Sequence, residues 1–350
     1  MTLEDLVHHV ARWLDGSGDQ ATLVMSSRIR LARNLADLPF AHRANAEQLR
    51  EIVRDVLRAS QEVQAFRKAT YFSTSRLSEM DRQVLVERHL ISPALAKERA
   101  FRGVLVTDKE QYSVMVNEED HLRVQVLWSG LQLEEAWEQA DRLDDELSCV
   151  LRYAYSDRYG YLTTCPTNAG TGLRASVLIH LPGLVLLREM EQVIQGLSEV
   201  GLTVRGFYGE GTDAVGNLFQ ISNQVTMGYP EEQTISMLTN MVRQVIEMEM
   251  DAREVLIRDA RSQIEDKIWR ASGILHNARL LTTREFMRLS SAVRLGYSMG
   301  MLSGPAPGVM NELMVSTQPS HLQRWAGKRL DPAERDMLRA CMVRKRLSDQ

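Results

Sequence analysis

The feature that most constrains how this chain can fold is a change of hydrophobic period at Gly228-Tyr229-Pro230. Before it, apolar residues alternate in short runs, as strands do. After it, strand signals stop and apolar residues recur at helical spacing. Eleven of the 17 methionines lie from Met237 onward, and methionine is pliant filler for helix-helix packing. A chain of 350 residues also exceeds what one core usually fills, since single cores stop growing near ~250–300 residues. Two domains are therefore expected: residues 1–229, mixing strands and helices, and residues 230–350, all helical.

Within the first domain, Tyr112 to Val116 and Leu122 to Trp128 read as strands around the turn Asn117-Glu118-Glu119-Asp120. Ala175 to Leu181, Leu202 to Phe207 and Leu218 to Gln224 are further strands. Ala46 to Lys68, Leu131 to Arg152 and Val185 to Leu197 read as helices. Hairpin-type connections point to antiparallel pairing, because parallel neighbours need a crossover of a dozen or more residues. The expected class is α+β: a mainly antiparallel sheet flanked by helices, followed by a C-terminal all-helical domain.

Composition narrows the function. Hydrophobic and charged fractions of 44% and 25% are those of an ordinary folded protein. A net charge of -4 with no long basic block gives no support for nucleic-acid or membrane partners, so any polyanion bound must be small and local. Cys149, Cys165 and Cys341 are odd in number and widely spaced, which argues against a disulfide framework or a metal site and for a reducing cytoplasm. Thr2 to Leu14 carries charges among its apolar residues and reads as an amphipathic helix, not a signal segment. No run approaches the ~20 apolar residues that span a bilayer.

Four segments carry chemistry. In Ser26-Ser27-Arg28-Ile29-Arg30, the two arginines stand two apart, so an extended backbone turns both forks the same way, as a phosphate clamp requires. Alone, such an alternating strand is usually a solvated face. In Asn117-Glu118-Glu119-Asp120-His121-Leu122-Arg123, adjacent carboxylates repel unless a cation sits among them; a guanidinium or Mg²⁺ would serve. Cys165-Pro166-Thr167-Asn168-Ala169-Gly170-Thr171-Gly172-Leu173-Arg174 has two glycines that permit close backbone approach to a ligand. It also sets a cysteine near arginines, which favours the thiolate form. Arg205-Gly206-Phe207-Tyr208-Gly209-Glu210-Gly211 follows a strand and presents one cation and one acid from a tight loop.

The strings SSRIR, NEEDHLR, CPTNAGTGLRAS and RGFYGEG stand in the order and approximate spacing of the phosphagen (guanidino) kinases, and the chain resembles that family. The resemblance implies ATP and Mg²⁺. It implies that Arg28, Arg30, Arg123, Arg174 and Arg205 cradle the triphosphate and that His89 lies near the adenine. The neighbours Ser26, Ser27, Ile29, Ala175, Ser176, Val177 and Leu178 complete the nucleotide site, with Gly206, Phe207, Tyr208, Gly209 and Glu210 from the last segment. Glu119 and Glu210 would hold the acceptor guanidinium beside the Cys165 thiolate, and either acid could take its proton. The physics agrees, because phosphoryl transfer is mostly positioning and electrostatics. A guanidinium must also lose a proton before its nitrogen can attack. Transfer is expected in line, without a phosphoenzyme.

Only 27 residues precede Arg28, where small-molecule guanidino kinases carry a sizeable helical domain, so a more open acceptor side is expected. The long tail after Gly228 resembles instead the protein-arginine kinase branch, whose acceptor is an arginine side chain on a protein. Asp331, Pro332 and Glu334 make a capping-box helix start, followed by Arg335, Asp336 and Arg339. By resemblance, the string RDxxRA binds phosphoarginine and activates the kinase allosterically, and the tail supports a homodimer. The branch further implies a bacterial stress response in which phosphoarginine marks proteins for a Clp unfoldase and protease, with an activator, McsA, as partner. Two rivals are a small-molecule guanidino kinase and a non-catalytic phosphoarginine-binding adaptor; intact Glu119, Cys165, Glu210 and all five arginines speak against the second.

Overall fold

Strand β1 (Val24–Arg33) sits near the middle of the molecule because its alternation gives it two different faces. Ile29 and Leu31 turn one way and are fully buried, while Arg28 and Arg30 turn the other. The computed structural model of the protein describes residues 2–97, 99–207, 214–305 and 307–348. Seven more strands join β1: β2 (Thr70–Ser73), β3 (Gly103–Val106), β4 (Tyr112–Val116), β5 (Leu122–Ser129), β8 (Leu173–His180), β9 (Leu202–Gly206) and β10 (Leu218–Asn223). Their order is β2-β3-β4-β5-β1-β8-β10-β9, and every neighbouring pair is antiparallel. The two-residue strands β6 (Tyr155–Ser156) and β7 (Gly160–Tyr161) pair separately.

Register carries the two-faced character across the sheet. Ile29 faces Val126 on β5 and Ala175 on β8, so apolar side chains align row by row. That face is covered by α2 (Ala46–Glu62), α4 (Leu133–Ser148), α6 (Met190–Glu199) and the first part of α7 (Glu231–Asn277), which share its core. Helices α1 (Leu3–His8) and α3 (Glu79–Glu87) pack at the β2 to β4 end, and α5 (Pro182–Leu187) follows β8. The long apolar run at Val185 to Leu197 is two helices rather than the single one expected. Arg188 adopts φ 64° and ends α5, while the Glu249 carboxylate accepts the Gly183 and Leu184 N–H groups at its start.

The tail comprises the rest of α7, then α8 (Thr283–Ser298), α9 (Pro307–Ser316), α10 (Pro319–Trp325) and α11 (Pro332–Ser348). Composition shifts at Gly228, yet Ile235 to Ala252 of α7 belong to the sheet's core, and only from Leu256 does this helix join the second core. Just past Leu256 its helical backbone is interrupted at Ala260, with φ -143°. The second core also takes in Leu127, Leu178 and Leu218, which lie on the same sheet face as the arginines. One end of that face is thus apolar and covered by tail helices, and the other end is cationic. The N-terminal segment is also not one helix: α1 ends at His8, and Arg12–Leu14 form a 3₁₀ turn whose Trp13 is buried in the second core.

Candidate active site

On the uncovered end of the cationic face, Arg30 of β1 is registered with Arg174 of β8, and Ala32 with Arg123 of β5. Arg205 of β9 is registered with Gln220 of β10. These four arginines line one cavity of about 240 Å³, joined by Glu119, Cys165 and Gln220. Four stretches distant in sequence therefore meet in one cleft. The guanidinium groups crowd one another. Burial, then Arg28, Arg123 and Arg174, hold the Arg30 guanidinium well below its ordinary pKa, against a lesser pull from Glu118. Burial and Arg123 bring Arg28 down to about 10. Arg174 is lowered by burial, Arg205 and Arg123. Arg30 Nε is buried and has no hydrogen-bond partner among the described residues. Such a site is destabilised by its own charge until a compact polyanion enters.

Opposite stands the acidic turn between β4 and β5. Asn117 starts it at φ 57° and ties it down by donating from Nδ2 to the Leu49 and Phe101 carbonyls at 3.0 and 2.8 Å. Asp120 is buried; its Oδ1 accepts from Asn34 Nδ2 and from Thr164 N, each at 2.7 Å. Thr164 Oγ1 donates to the Glu119 carbonyl at 2.9 Å. Thr164 thus pins the cysteine loop to the acidic turn, which brings the next residue, Cys165, to the cavity wall beside Glu119. Arg123 is held by both acids, 2.8 Å from Glu118 and 3.3 Å from Glu119. Burial first, with Asp120 and Glu118 adding, raises the Glu119 pKa against Arg123 and Arg174. A carboxylate raised in this way is better matched to taking a proton near neutrality.

The two glycines of the cysteine loop serve the protein itself. A Cβ on Gly170 (φ 102°) would stand 2.3 Å from the Thr226 carbonyl, and one on Gly172 (φ 67°) would stand 2.5 Å from Arg33 Nη1. The close approach expected toward a ligand is, at both positions, an approach to neighbouring chain, though Gly172 also borders the cavity.

Gln220 borders a second, narrower slot and accepts from Arg28 Nη2 at 2.7 Å. Its far walls are aromatic and aliphatic: Trp13, His89 and Phe207 with Leu127 and Leu178. His89 lies edge-on to Trp13 at 5.6 Å and tilted to Phe207 at 4.9 Å. Burial, Arg28 and His321 press its pKa to about 3, so the ring is neutral. A mainly apolar slot that shares Gln220 with a neighbouring cationic cavity is the arrangement a nucleotide uses, base toward the slot and phosphates toward the cavity.

Comparison with known proteins agrees with this geometry. Residues 48–252 match the catalytic domain of ATP:guanido phosphotransferases, and residues 261–350 match the C-terminal domain of the protein-arginine kinase McsB. The chain is 47% identical over 349 residues to a protein-arginine kinase of Halothermothrix orenii, covering 99% of this chain and 100% of that one. The protein-arginine kinase of Symbiobacterium thermophilum is 48% identical over 341 residues, covering 97% of each. The chain belongs to the protein-arginine kinase family. Among solved structures, a lombricine kinase superposes with a TM-score of 0.61 at 27% identity, over 70% of this chain and 72% of that one. The duplicated taurocyamine kinase of Schistosoma mansoni, with transition-state-analogue components bound, also reaches 0.61 at 26% identity, over 75% of this chain and 38% of that one.

Not every expected residue of this protein-arginine kinase faces the cleft. Register turns Ser27, Ile29, Ala175 and Val177 to the helix-covered side; Ser27 Oγ instead donates to the Gly130 carbonyl at 2.8 Å. Ser26, Ser176 and Leu178 border the slot with Arg28, and Gly206 ends β9 just before Phe207. Tyr208, Gly209 and Glu210 lie outside the described residues. In the tail, the capping box is present, Glu334 N donating to Asp331 Oδ1 at 2.8 Å. Arg339, however, is buried and donates to the Thr317 and Leu281 carbonyls and to Asp336. Arg335 donates to the Leu330 carbonyl at 3.2 Å. Arg335 and Asp336 are part-exposed, so in this state they, and not Arg339, are presented at the helix start. Trp13 went unread in the sequence because nothing local marks it; only the fold brings it to His89.

Proposed function

We propose that this protein-arginine kinase transfers the γ-phosphoryl group of ATP directly, in line, to a guanidino nitrogen of an arginine side chain on a protein. The observation that carries this reading is the single cavity in which Arg30, Arg123, Arg174 and Arg205 face Glu119 and Cys165. The arginines, with Arg28 at the slot mouth, hold the phosphates and offset the charge spread over the transferring group. Among the described residues no cluster of His, Cys, Asp and Glu is arranged to hold a metal, so Mg²⁺ would come with the nucleotide, on its phosphate oxygens. When bound, it neutralises phosphate charge.

Glu119 orients the acceptor guanidinium through charge-assisted hydrogen bonds and takes its proton at the carboxylate as the N–P bond forms and the bond from the γ-phosphorus to the β,γ-bridging oxygen breaks, releasing ADP. Glu210 is the second carboxylate in this reading, and Cys165 stands beside Glu119 on the cavity wall. A protein acceptor is supported by the names of the relatives and by the match of the tail to the McsB domain. On the same match rest the finer proposals: a homodimer, phosphoarginine sensing through Arg335 and Asp336, with buried Arg339 holding Asp336 in place, a cytoplasmic setting, activation by McsA, and marking of substrates for a Clp unfoldase and protease. No helix among the described residues is long and apolar enough to cross a membrane.

The test is incubation with Mg-ATP and an arginine-rich protein such as casein, followed by assay for acid-labile phosphate on arginine. Glu119→Ala and Cys165→Ala should each abolish the signal with the fold retained by circular dichroism. Transfer to free arginine but not to protein would overturn the acceptor assignment.

A further inference from the structure

The narrow slot holds a polar atom that the reading so far does not use. Trp13 is 1% exposed, lines the slot, and its indole Nε1 is buried without a hydrogen-bond partner among the described residues. A buried donor left unmade costs about 1–3 kcal/mol, so such atoms in native proteins call for an explanation.

The placement of this residue is tightly held. Arg12 N donates to the Lys109 carbonyl at 3.2 Å, and the Leu14 carbonyl accepts from Asn311 Nδ2 of α9 at 3.3 Å. On the far side, a Cβ on Gly308 of α9 would stand 2.4 Å from the Asp15 carbonyl, so helix and strap meet backbone to backbone. Trp13 cannot readily swing out to water, and the ring edge of His89 closes one side. The slot is where its N–H can find an acceptor.

We propose that Trp13 is a specificity residue for the nucleotide base: its indole N–H donates a hydrogen bond to a ring nitrogen of the purine. This rests on the reading of the slot as the base site. Tryptophan is a donor only, so it can read an acceptor nitrogen and cannot satisfy an amino group or a protonated ring nitrogen at the same point. The interaction would contribute to affinity rather than to the chemical step, since the slot is separate from the cavity that holds Glu119 and Cys165.

The test uses the full chain and 1-deaza-, 3-deaza- and 7-deaza-ATP, each of which replaces one ring nitrogen by CH. One of the three should bind roughly three- to tenfold more weakly than ATP by calorimetry, the range a single net hydrogen bond supplies. Trp13→Phe should weaken ATP by a similar factor with kcat little changed, and should abolish the discrimination against that analogue. Equal binding of ATP and all three analogues by the unaltered protein would overturn the proposal whatever the variant does. So would a Trp13→Phe protein that still discriminates, or one that loses discrimination against 2′-deoxy-ATP instead, which would place the acceptor on the sugar. If the slot is not the base site at all, a different result appears: adenosine, which lacks the phosphates, fails to compete with ATP at any concentration.

Discussion

The cleft and the tail both bring arginines into partly or fully buried positions, and they treat them in opposite ways. In the tail, Arg339 is matched donor by donor, to two carbonyls and to Asp336. Arg33, three residues beyond Arg30 at the end of β1, is likewise matched: Asp144 holds it at 2.7 Å and Tyr161 stacks beneath it at 3.4 Å. In the cleft, the charged neighbours of Arg28, Arg30 and Arg174 are mainly other arginines, which add to the lowering of their pKa values by burial, whereas at Arg339 the charge of Asp336 works against it. An arginine that belongs to the fold is completed by the protein, and one that belongs to a ligand is left incomplete.

The sharpest way to break this contrast is to remove a cleft arginine. Arg30→Ala and Arg174→Ala should lower kcat/KM for phosphoarginine formation by about 10³-fold or more, the scale on which arginines act in phosphoryl transfer. The melting temperature should hold or rise, because mutual repulsion is relieved. A marked loss of stability with either variant would mean that these residues are structural after all.

Next in size is Glu119→Gln, which keeps shape and removes the charge. Loss of a general base costs about 10²–10⁴ in kcat, with ATP binding largely kept, as steady-state kinetics and calorimetry together would show. The pH profile sharpens the point. A base works deprotonated, and burial raises the pKa of Glu119, so activity should fall on the acid side above the ordinary carboxylate range. An acid limb that stays in place in Glu119→Gln would assign it to another group.

The opposite outcome is expected of Arg339→Met. Truncating it leaves two buried carbonyls, and the part-exposed Asp336, short of a partner, a change that costs roughly 1–3 kcal/mol. Chemical denaturation would read that loss, while kcat per folded molecule stays near its starting value. If Arg339→Met instead folds normally and loses activity, the tail arginine belongs with the cleft ones.

Much of this contrast was legible in residues 20 to 230, for a local reason. β4 and β5 read cleanly because two short runs rich in β-branched and apolar residues flank Asn117 to Asp120, a dense turn signal. The shared face of Arg28 and Arg30 followed from period two alone. The fate of Arg339 did not, because burial at that position depends on Thr317 and Leu281, far along the chain. Trp13 and the break of α5 from α6 were illegible for the same reason. One is placed by α9 and the other is supported by Glu249 on α7. Nor does hydrophobic period reveal that Leu127, Leu178 and Leu218, on the cation-bearing face, are covered by tail helices.

That cover has a smaller consequence, which concerns acid. His180 ends β8 under α8, 1% exposed, with Nε2 2.8 Å from Ser291 Oγ. Burial, then the charges of Arg294 and Arg253, hold its pKa well below the ordinary value. His89 and His321 are lowered too, His321 by burial against the pull of Glu87. A histidine neutral in the fold but charged when unfolded binds more protons in the unfolded state. Its stability is therefore complete above the unfolded pKa of ~6.5 and is lost as pH falls below it. Urea titrations at pH 7, 6 and 5 should show stability declining, and His180→Gln should flatten that decline by at most one proton's worth, about 1.4 kcal/mol per pH unit. An unchanged slope in His180→Gln would mean that the ring can accept its proton without displacing Ser291. The seam between sheet and tail would then be looser than the arginine-bearing cleft beside it.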